Sequence, residues 1–297
     1  MIGCALIGCG YWGSKLKRYI EENPGVSLKY VCNSSSDLDA VWQDPQVTAV
    51  VVATPNVTHY PIVKSALLHD KNVLSEKPLA LTAEECVELR QIASSRNLKL
   101  LVEYTYTFSR ALRQAQQMVE EGEIGAILGI EMMVRHLGRF GGGSVYWLLS
   151  SHMLSVLDMF IPLESTSFTK IDLVTYQGEE ETGVICFRYQ DILGQLVVSL
   201  NYPGKETRII IYGENGTIIY DPAASVSLLV EQYQRLKWTV AAELPRKRRE
   251  FQIDESHNLR YAINYFLAVL EGREESNVDR AVTITEILEK LRQGQVG

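Results

Sequence analysis

Several short segments carry residue types at spacings that could do chemistry. The first is Gly8-Cys9-Gly10-Tyr11-Trp12-Gly13, a GxGxxG pattern. In such a loop the first glycine permits a tight turn and the second lets backbone approach a pyrophosphate. The third lets a helix pack close against a strand. A helix starting here would aim free N–H groups and the positive end of its dipole at an anion. Thr54, Pro55 and His59 form a second segment, and Glu76-Lys77-Pro78 a third. Both follow apolar runs, which places them at the carboxyl ends of strands, where doubly wound sheets bind ligands. A lysine there can hold a ribose or move a proton; taken alone, it reads more often as a solvated surface group. The fourth segment is Val145–Met153. It contains His152, whose side-chain type has the near-neutral pKa that proton transfer requires.

One expected group is missing. A dinucleotide fingerprint has an acidic residue about 20 positions on, to hold the ribose 2′-hydroxyl. Here the second strand ends in Asn33-Ser34-Ser35-Ser36, with no acid before Asp37. Without that carboxylate a 2′-phosphate is not repelled, and Asn33 and Ser34 can donate to one. No arginine is present to clamp it. The sequence tilts toward NADP over NAD without deciding.

The elements that must position these residues follow from periodicity. Ile2–Ile7, Ser27–Cys32, Val47–Ala53, Asn72–Ser75 and Leu98–Glu103 read as strands. Between them lie helical patterns, including Thr58–Asp70 and a helix capped by Thr82 with Glu85 completing a capping box. Strands alternating with helices imply a parallel sheet. After a helix at Ser109–Glu121 the rhythm changes to period two. It runs through Ile127–Arg135, Val184–Tyr189, Leu196–Asn201, Arg208–Tyr212 and Thr217–Tyr220, as in an antiparallel sheet. A helical pattern at Val145–Phe160 interrupts it, and two helices at Asn258–Glu271 and Thr283–Arg292 close the chain. The expected fold is α/β. A Rossmann doubly wound parallel sheet spans 1–117, and an α/β domain with an open antiparallel sheet spans 118–297.

Composition narrows the function classes. The 297 residues carry a formal net charge of −7, so no global basic field favours nucleic acid or anionic membrane. No apolar run approaches a membrane span, and no basic region precedes the apolar start of the chain. The five cysteines are scattered, which favours a reducing cytoplasm over a disulfide framework. The histidines form no ligand-spaced cluster, so no metal site is expected. Arg246-Lys247-Arg248-Arg249 reads as a solvated basic loop.

GxGxxG, then ATPxxxH, then EKP, at this spacing, resembles the Gfo/Idh/MocA oxidoreductase family. Gly122-Glu123-Ile124-Gly125 resembles its domain junction, and Glu255–Gly272 with Ser276–Arg292 resembles its closing helices. The resemblance implies that Gly8, Gly10 and Gly13 line a pyrophosphate, with Tyr11, Trp12, Asn33 and Ser34 also on the cofactor. It implies that Thr54, Pro55 and His59 flank the nicotinamide half, and that Glu76 and Lys77 contact its ribose. Lys77 would also relay the proton of the reacting carbon, and His152 would be the second catalytic residue. Arg135–Arg139 and the glycine run before Val145 resemble the nucleotide-sugar and sugar 3-dehydrogenases, with Arg135 near the substrate. A homodimer or homotetramer is the family's usual assembly.

The chain departs from the family twice. The family commonly has Asp-x-x-x-His, and Leu148 stands where the aspartate would be. Tyr104 and Tyr146 are possible phenolic substitutes, or aromatics packed for structure. In addition, only Asn33–Gln46 joins the second strand to the third, so one βα unit is lost where the adenosine half would be walled. Two functions follow as alternatives. One is an NAD(P)-dependent oxidoreductase moving a hydride to or from a ring carbon of a sugar, sugar nucleotide or cyclitol. The other is a non-catalytic dinucleotide-binding sensor or partner protein.

Overall fold

The computed structural model describes residues 1–140, 142–235 and 245–294. It divides into two compact units, Met1–Thr105 with His257–Glu289, and Tyr106–Ser256 with Lys290–Gly297. The closing helices therefore group with the first unit, whereas the sequence boundary at 117/118 sets them with the second.

The first unit is built on strands β1 (Ile2–Ile7), β2 (Val26–Cys32), β3 (Ala49–Val52), β4 (Asn72–Glu76) and β5 (Leu100–Glu103). They form one parallel five-stranded sheet in the order β2-β1-β3-β4-β5. β3 is the run Ala-Val-Val-Val, buried throughout, as a central parallel strand covered on both faces must be. Helices α1 (Tyr11–Glu21), α2 (Asp39–Gln43), α3 (His59–Leu68) and α4 (Ala83–Ser95) make the crossovers. Thr82 caps α4 by accepting from Glu85 N at 3.2 Å, while the Glu85 carboxylate reaches back to Leu81 N at 3.2 Å.

The β2–β3 connection is as short as the sequence indicates. It holds only the five-residue α2, and β2 is the sheet's edge. Buried Val41 and Trp42 anchor it, and Trp42 stacks on His69 with centroids 5.8 Å apart. Lys71 Nζ donates to the carbonyls of Asp44 and Val47, at 2.9 and 2.8 Å, tying the connection to the sheet.

The opposite edge is closed by the chain's return. Asn277 donates to Val102 O and accepts from Val102 N, both at 2.8 Å, so its amide stands in for a neighbouring strand on β5. It precedes α8 (Val278–Arg292), which docks on α4 through Arg90–Asp279 at 2.7 Å and Cys86–Thr285 at 3.5 Å. α7 (Asn258–Leu270) docks on α1 through Asn23–Asn264 at 2.8 Å and Arg260–Glu22 at 2.6 Å.

The second unit carries α5 (Arg110–Glu120), α6 (Ser151–Leu157) and strands β6 (Ile127–Leu137), β7 (Ser167–Tyr176), β8 (Glu179–Tyr189) and β9 (Ile192–Ser199). β10 (Asn201–Gly213), β11 (Gly216–Tyr220), β12 (Leu228–Tyr233) and β13 (Arg246–Phe251) complete it. These eight strands form one sheet, ordered β13-β12-β11-β10-β6-β9-β8-β7. It is mixed rather than purely antiparallel, because β6 and β9 pair in parallel. The alternating burial of β8, β10 and β11 gives one apolar face. Ser109 caps α5 by accepting from Leu112 N at 3.1 Å.

The run Arg246–Arg249 corrects the expectation of a solvated loop. It is part of edge strand β13, where Arg246 and Arg248 reach Glu231 at 3.8 and 3.6 Å and Arg249 pairs with Glu123. An edge strand dense in charge resists pairing with another chain. Among the described residues no helix is long and apolar enough to cross a membrane.

Candidate active site

The first unit's site collects at the carboxyl ends of its strands. Gly8 has φ +90°, and a Cβ there would stand 2.5 Å from Ala53 O. A Cβ on Gly13 would stand 2.0 Å from Gly8 O, so α1 can approach the turn only without one. A Cβ on Gly10 would meet nothing within 4 Å, so its open side is the one a pyrophosphate would face. The first turn of α1 carries no acid to repel an anion. Tyr11 and Trp12 project from this turn, 69% and 38% exposed, with Lys15 Nζ 4.2 and 4.4 Å above their rings. These features fit a dinucleotide.

At the end of β2, Asn33 and Ser34 are exposed. The Asn33 side-chain carbonyl accepts from Ser35 N at 2.9 Å and Ser35 Oγ at 2.7 Å. Its acceptor is thus spent on the turn. Thr54 and Pro55 follow β3, where the Thr58 hydroxyl donates to Thr54 Oγ1 at 2.8 Å. His59 is fully buried, with Nδ1 2.6 Å from Pro78 O and Nε2 2.8 Å from Thr54 O. Its ring therefore braces the Thr54 and Lys77-Pro78 segments against each other rather than presenting itself to a ligand. Burial holds its pKa below the ordinary histidine value, and the charge of Lys77 adds to this against the two carbonyls.

Glu76 ends β4 and Lys77 follows it. Glu76 pairs in register with Glu103, which ends β5. Burial pushes the Glu76 carboxyl up to about 7, against the pull of Lys77. Burial and the Glu76 carboxylate push Glu103 well above the ordinary range, opposed by the Thr105 hydroxyl and Lys77. Sequence reasoning missed Glu103, because one acid closing an apolar run carries no mark of the partner across the sheet. Tyr104, offered as a phenolic acid, is 1% exposed and packs as core.

The second unit holds the remaining residues. The helix expected at Val145–Phe160 opens with a π turn at Tyr146–Ser150 and continues as α6. Such turns widen the helix and recur at functional sites. Leu148 lies in the π turn, and His152 in α6 is half-buried. The edge of the Tyr106 ring meets the His152 ring, with centroids 5.5 Å apart, and the Tyr106 phenol lies 3.2 Å from Thr207 Oγ1. Tyr106 is thus a support of His152 that only the folded chain reveals. Tyr146 is buried and donates to Asp172 at 2.7 Å, inside a network where Lys170 reaches Asp172 at 2.9 Å and Glu180 at 2.8 Å. Burial and that carboxylate raise its pKa, so Tyr146 anchors the π turn rather than serving as an acid. Arg135 pairs with Glu206 at 2.7 Å and lies over the Tyr202 ring at 4.1 Å. Its charge is already compensated, which weakens its candidacy as an anion clamp. Gly141, in the glycine run before Val145, lies outside the described residues. Among those residues, no group of three or more His, Cys, Asp or Glu could hold a metal.

Comparison with known proteins agrees with this geometry. A family model described as the oxidoreductase family with NAD-binding Rossmann fold, GFO_IDH_MocA, matches residues 16–104. A model of the GFO/IDH/MocA C-terminal domain matches residues 112–219. The 2,7-anhydro-N-acetylneuraminate hydratase of Mediterraneibacter gnavus is 30% identical over 141 residues, 43% of this chain and 38% of that protein. The aligned stretch thus spans well under two thirds of that relative's length. The structure of a levoglucosan dehydrogenase in complex with NADH and levoglucosan superposes with a TM-score of 0.86 at 18% identity, covering 99% of this chain and 97% of that one. A mutant of KijD10, a 3-ketoreductase from Actinomadura kijaniata in complex with TDP-benzene and NADP, gives 0.82 at 18%, covering 99% and 97%. At these identities the two structures speak for the fold alone. The family models settle the rest: the chain belongs to the Gfo/Idh/MocA oxidoreductases, with that family's NAD-binding Rossmann domain and its C-terminal domain.

Proposed function

We propose that the chain transfers a hydride between a nicotinamide cofactor, NAD or NADP, and a hydroxyl-bearing ring carbon of a sugar, sugar nucleotide or cyclitol. The observation that carries this reading is the alignment of Lys77, at the carboxyl end of β4, with a glycine turn whose Gly10 faces open space. When bound, the nicotinamide supplies the hydride acceptor or donor. The glycine turn and the N-terminus of α1 hold the pyrophosphate. Glu76 and Lys77 orient the nicotinamide ribose, and Lys77 exchanges a proton with the substrate oxygen. His152, steadied by Tyr106, is the second proton-transfer group. The sugar-acting relatives and neighbours support the substrate class. A cytoplasmic location and a homo-oligomer belong to the same proposal.

Leu148 favours a second reading, because the carboxylate that would orient His152 is absent. In that reading the chain binds dinucleotide without turnover. Thermal shift with NADH and NADPH, followed by an absorbance screen of 3-keto and 3-hydroxy sugars and sugar nucleotides, separates the two. Turnover abolished by Lys77→Ala, with nucleotide binding weakened but still measurable, is the expected result. Binding without turnover across the panel would sink the enzyme reading in favour of the sensor.

A further inference from the structure

Two carboxylates end adjacent parallel strands at the same level. Glu76 and Glu103 are register partners, so their side chains leave the same face of the sheet, about 4.8 Å apart at the backbone. Glu103 is 1% exposed and takes the Thr105 hydroxyl at 2.7 Å through Oε2. Its Oε1 is sealed from solvent and accepts no hydrogen bond, and the same holds for Oε1 of half-buried Glu76. Neighbouring carboxylates in such a place disfavour each other's ionised form, and a proton shared between them would give both orphaned oxygens a partner. Lys77, at the end of β4, acts on both carboxylates, and its charge is also felt by His59 on α3. With both carboxylates ionised, the cluster would carry an uncompensated negative charge in a buried place. With one proton between them, Lys77 and the pair sum to zero.

We propose that Glu76 and Glu103 form a carboxyl–carboxylate pair that holds one proton between them and so gives Lys77 a single counter-charge. Glu103 is then a positioning residue: it acts on the site through Glu76 and Lys77. The inference deepens the oxidoreductase reading of the same site. It has a consequence for the nucleotide as well. Losing the last shared proton adds one negative charge beside an anionic ligand, so affinity should fall as that proton leaves.

The test uses the full chain without nucleotide or substrate. Infrared spectra at neutral pH, where ordinary glutamates are ionised, should show a protonated-carboxyl C=O band. Glu103→Gln should remove it, and so should Glu76→Gln, which serves if the fully buried site does not tolerate the first change. A native protein with no such band, or a band retained in either variant, overturns the proposal; a band kept in Glu76→Gln marks a lone protonated Glu103. NADH fluorescence titrations between about pH 5 and about pH 9 read the consequence. Native affinity should drop about tenfold across the last deprotonation, the effect of one charge roughly 10 Å away at an effective dielectric of about 20. E103Q should show no such step. A native protein that binds NADH with no step overturns the counter-charge role. A protein that binds no NADH refutes the oxidoreductase reading instead, and the infrared band still decides the pair.

Discussion

Replacing His59 by phenylalanine removes a buried donor while keeping a ring in its place. Both ring nitrogens face carbonyls, Pro78 O at 2.6 Å and Thr54 O at 2.8 Å. A neutral ring has one N–H, so it serves one of them, and only the doubly protonated ring would serve both. Burial, with Lys77 adding to it, keeps the ring neutral. His59→Phe therefore costs one hydrogen bond and leaves a buried carbonyl unpaired, about 1–3 kcal/mol. At about 2–4 °C per kcal/mol, the Tm should fall by roughly 2–12 °C at neutral pH. The pH dependence has a definite sign. The unfolded histidine takes a proton below its ordinary 6.5, whereas the folded ring takes one only at lower pH. The contribution of His59 is thus complete above pH 6.5 and fades as pH falls through the folded value. The loss is about 1.4 kcal/mol per pH unit until the folded ring titrates. Phenylalanine has no such dependence, so the gap between native and variant should narrow on acidification. Thermal melts across that window read the stability, and NADH fluorescence reads the site, where affinity should fall several-fold as the Thr54 and Lys77-Pro78 segments loosen. Equal melting at neutral pH, or a gap that widens as pH falls, would refute the bracing argument.

The remaining changes probe the other parts of the site. Gly13→Ala sets a Cβ 2.0 Å from Gly8 O, and backbone cannot yield as a side chain can. NADH binding should be lost, with about 1–3 kcal/mol of overpacking seen in the melt. Tyr146→Phe removes a hydrogen bond to the Asp172 carboxylate, worth about 1.5–3 kcal/mol. Gly183→Ala, whose Cβ would lie 1.9 Å from Tyr146 Oη, should be milder in that background, as a double-mutant cycle would show. Leu148→Asp supplies a carboxylate one turn before His152 and should move the acidic limb of the pH–rate profile upward. A profile that stays put would show that position 148 does not face the histidine. Ile171 and Leu173, 56% and 58% exposed on edge strand β7, offer an apolar patch to a second copy in the proposed homo-oligomer, so Ile171→Lys with Leu173→Lys should lower the mass seen by light scattering.

What the sequence disclosed was local. The glycine turn, the Thr82 cap and the alternation of β8 and β10 are each written within a few residues, so spacing alone reveals them. The short β2–β3 connection was legible for the same reason. What escaped depends on partners far along the chain. Arg246–Arg249 is a charge run in sequence and an edge strand in space, because Glu231 and Glu123 meet it there. Asn277 looks like a loop residue until β5 presents an open edge to it. The π turn at Tyr146 hides in a run that reads as uniform helix, and the Asp172 and Lys170 that hold Tyr146 come from β7, far along the chain. Glu103 becomes half of a pair only through the β4–β5 register.

The short crossover and the missing ribose acid bear on the same end of the first unit. β2 is the sheet's edge, and the residues after Cys32, from Asn33 to Ser35, stand exposed. A carboxylate there would meet a ribose hydroxyl in competition with water and under full ionic screening, where charged contacts contribute little. Asp37, the first acid beyond, already accepts from Asp39 N at 2.9 Å to start α2. The adenosine end is thus left with the exposed donors of Asn33 and Ser34, which tolerate a 2′-phosphate without clamping it. On the proposed reading, binding energy comes from elsewhere, from the pyrophosphate at the Gly8–Gly13 turn and the nicotinamide end at Glu76 and Lys77. The proposed site would then discriminate weakly between NADH and NADPH. Its affinity is set where the reaction would occur, which makes the charge state of Glu76, Lys77 and Glu103 matter more here than in a Rossmann domain with its outer wall intact.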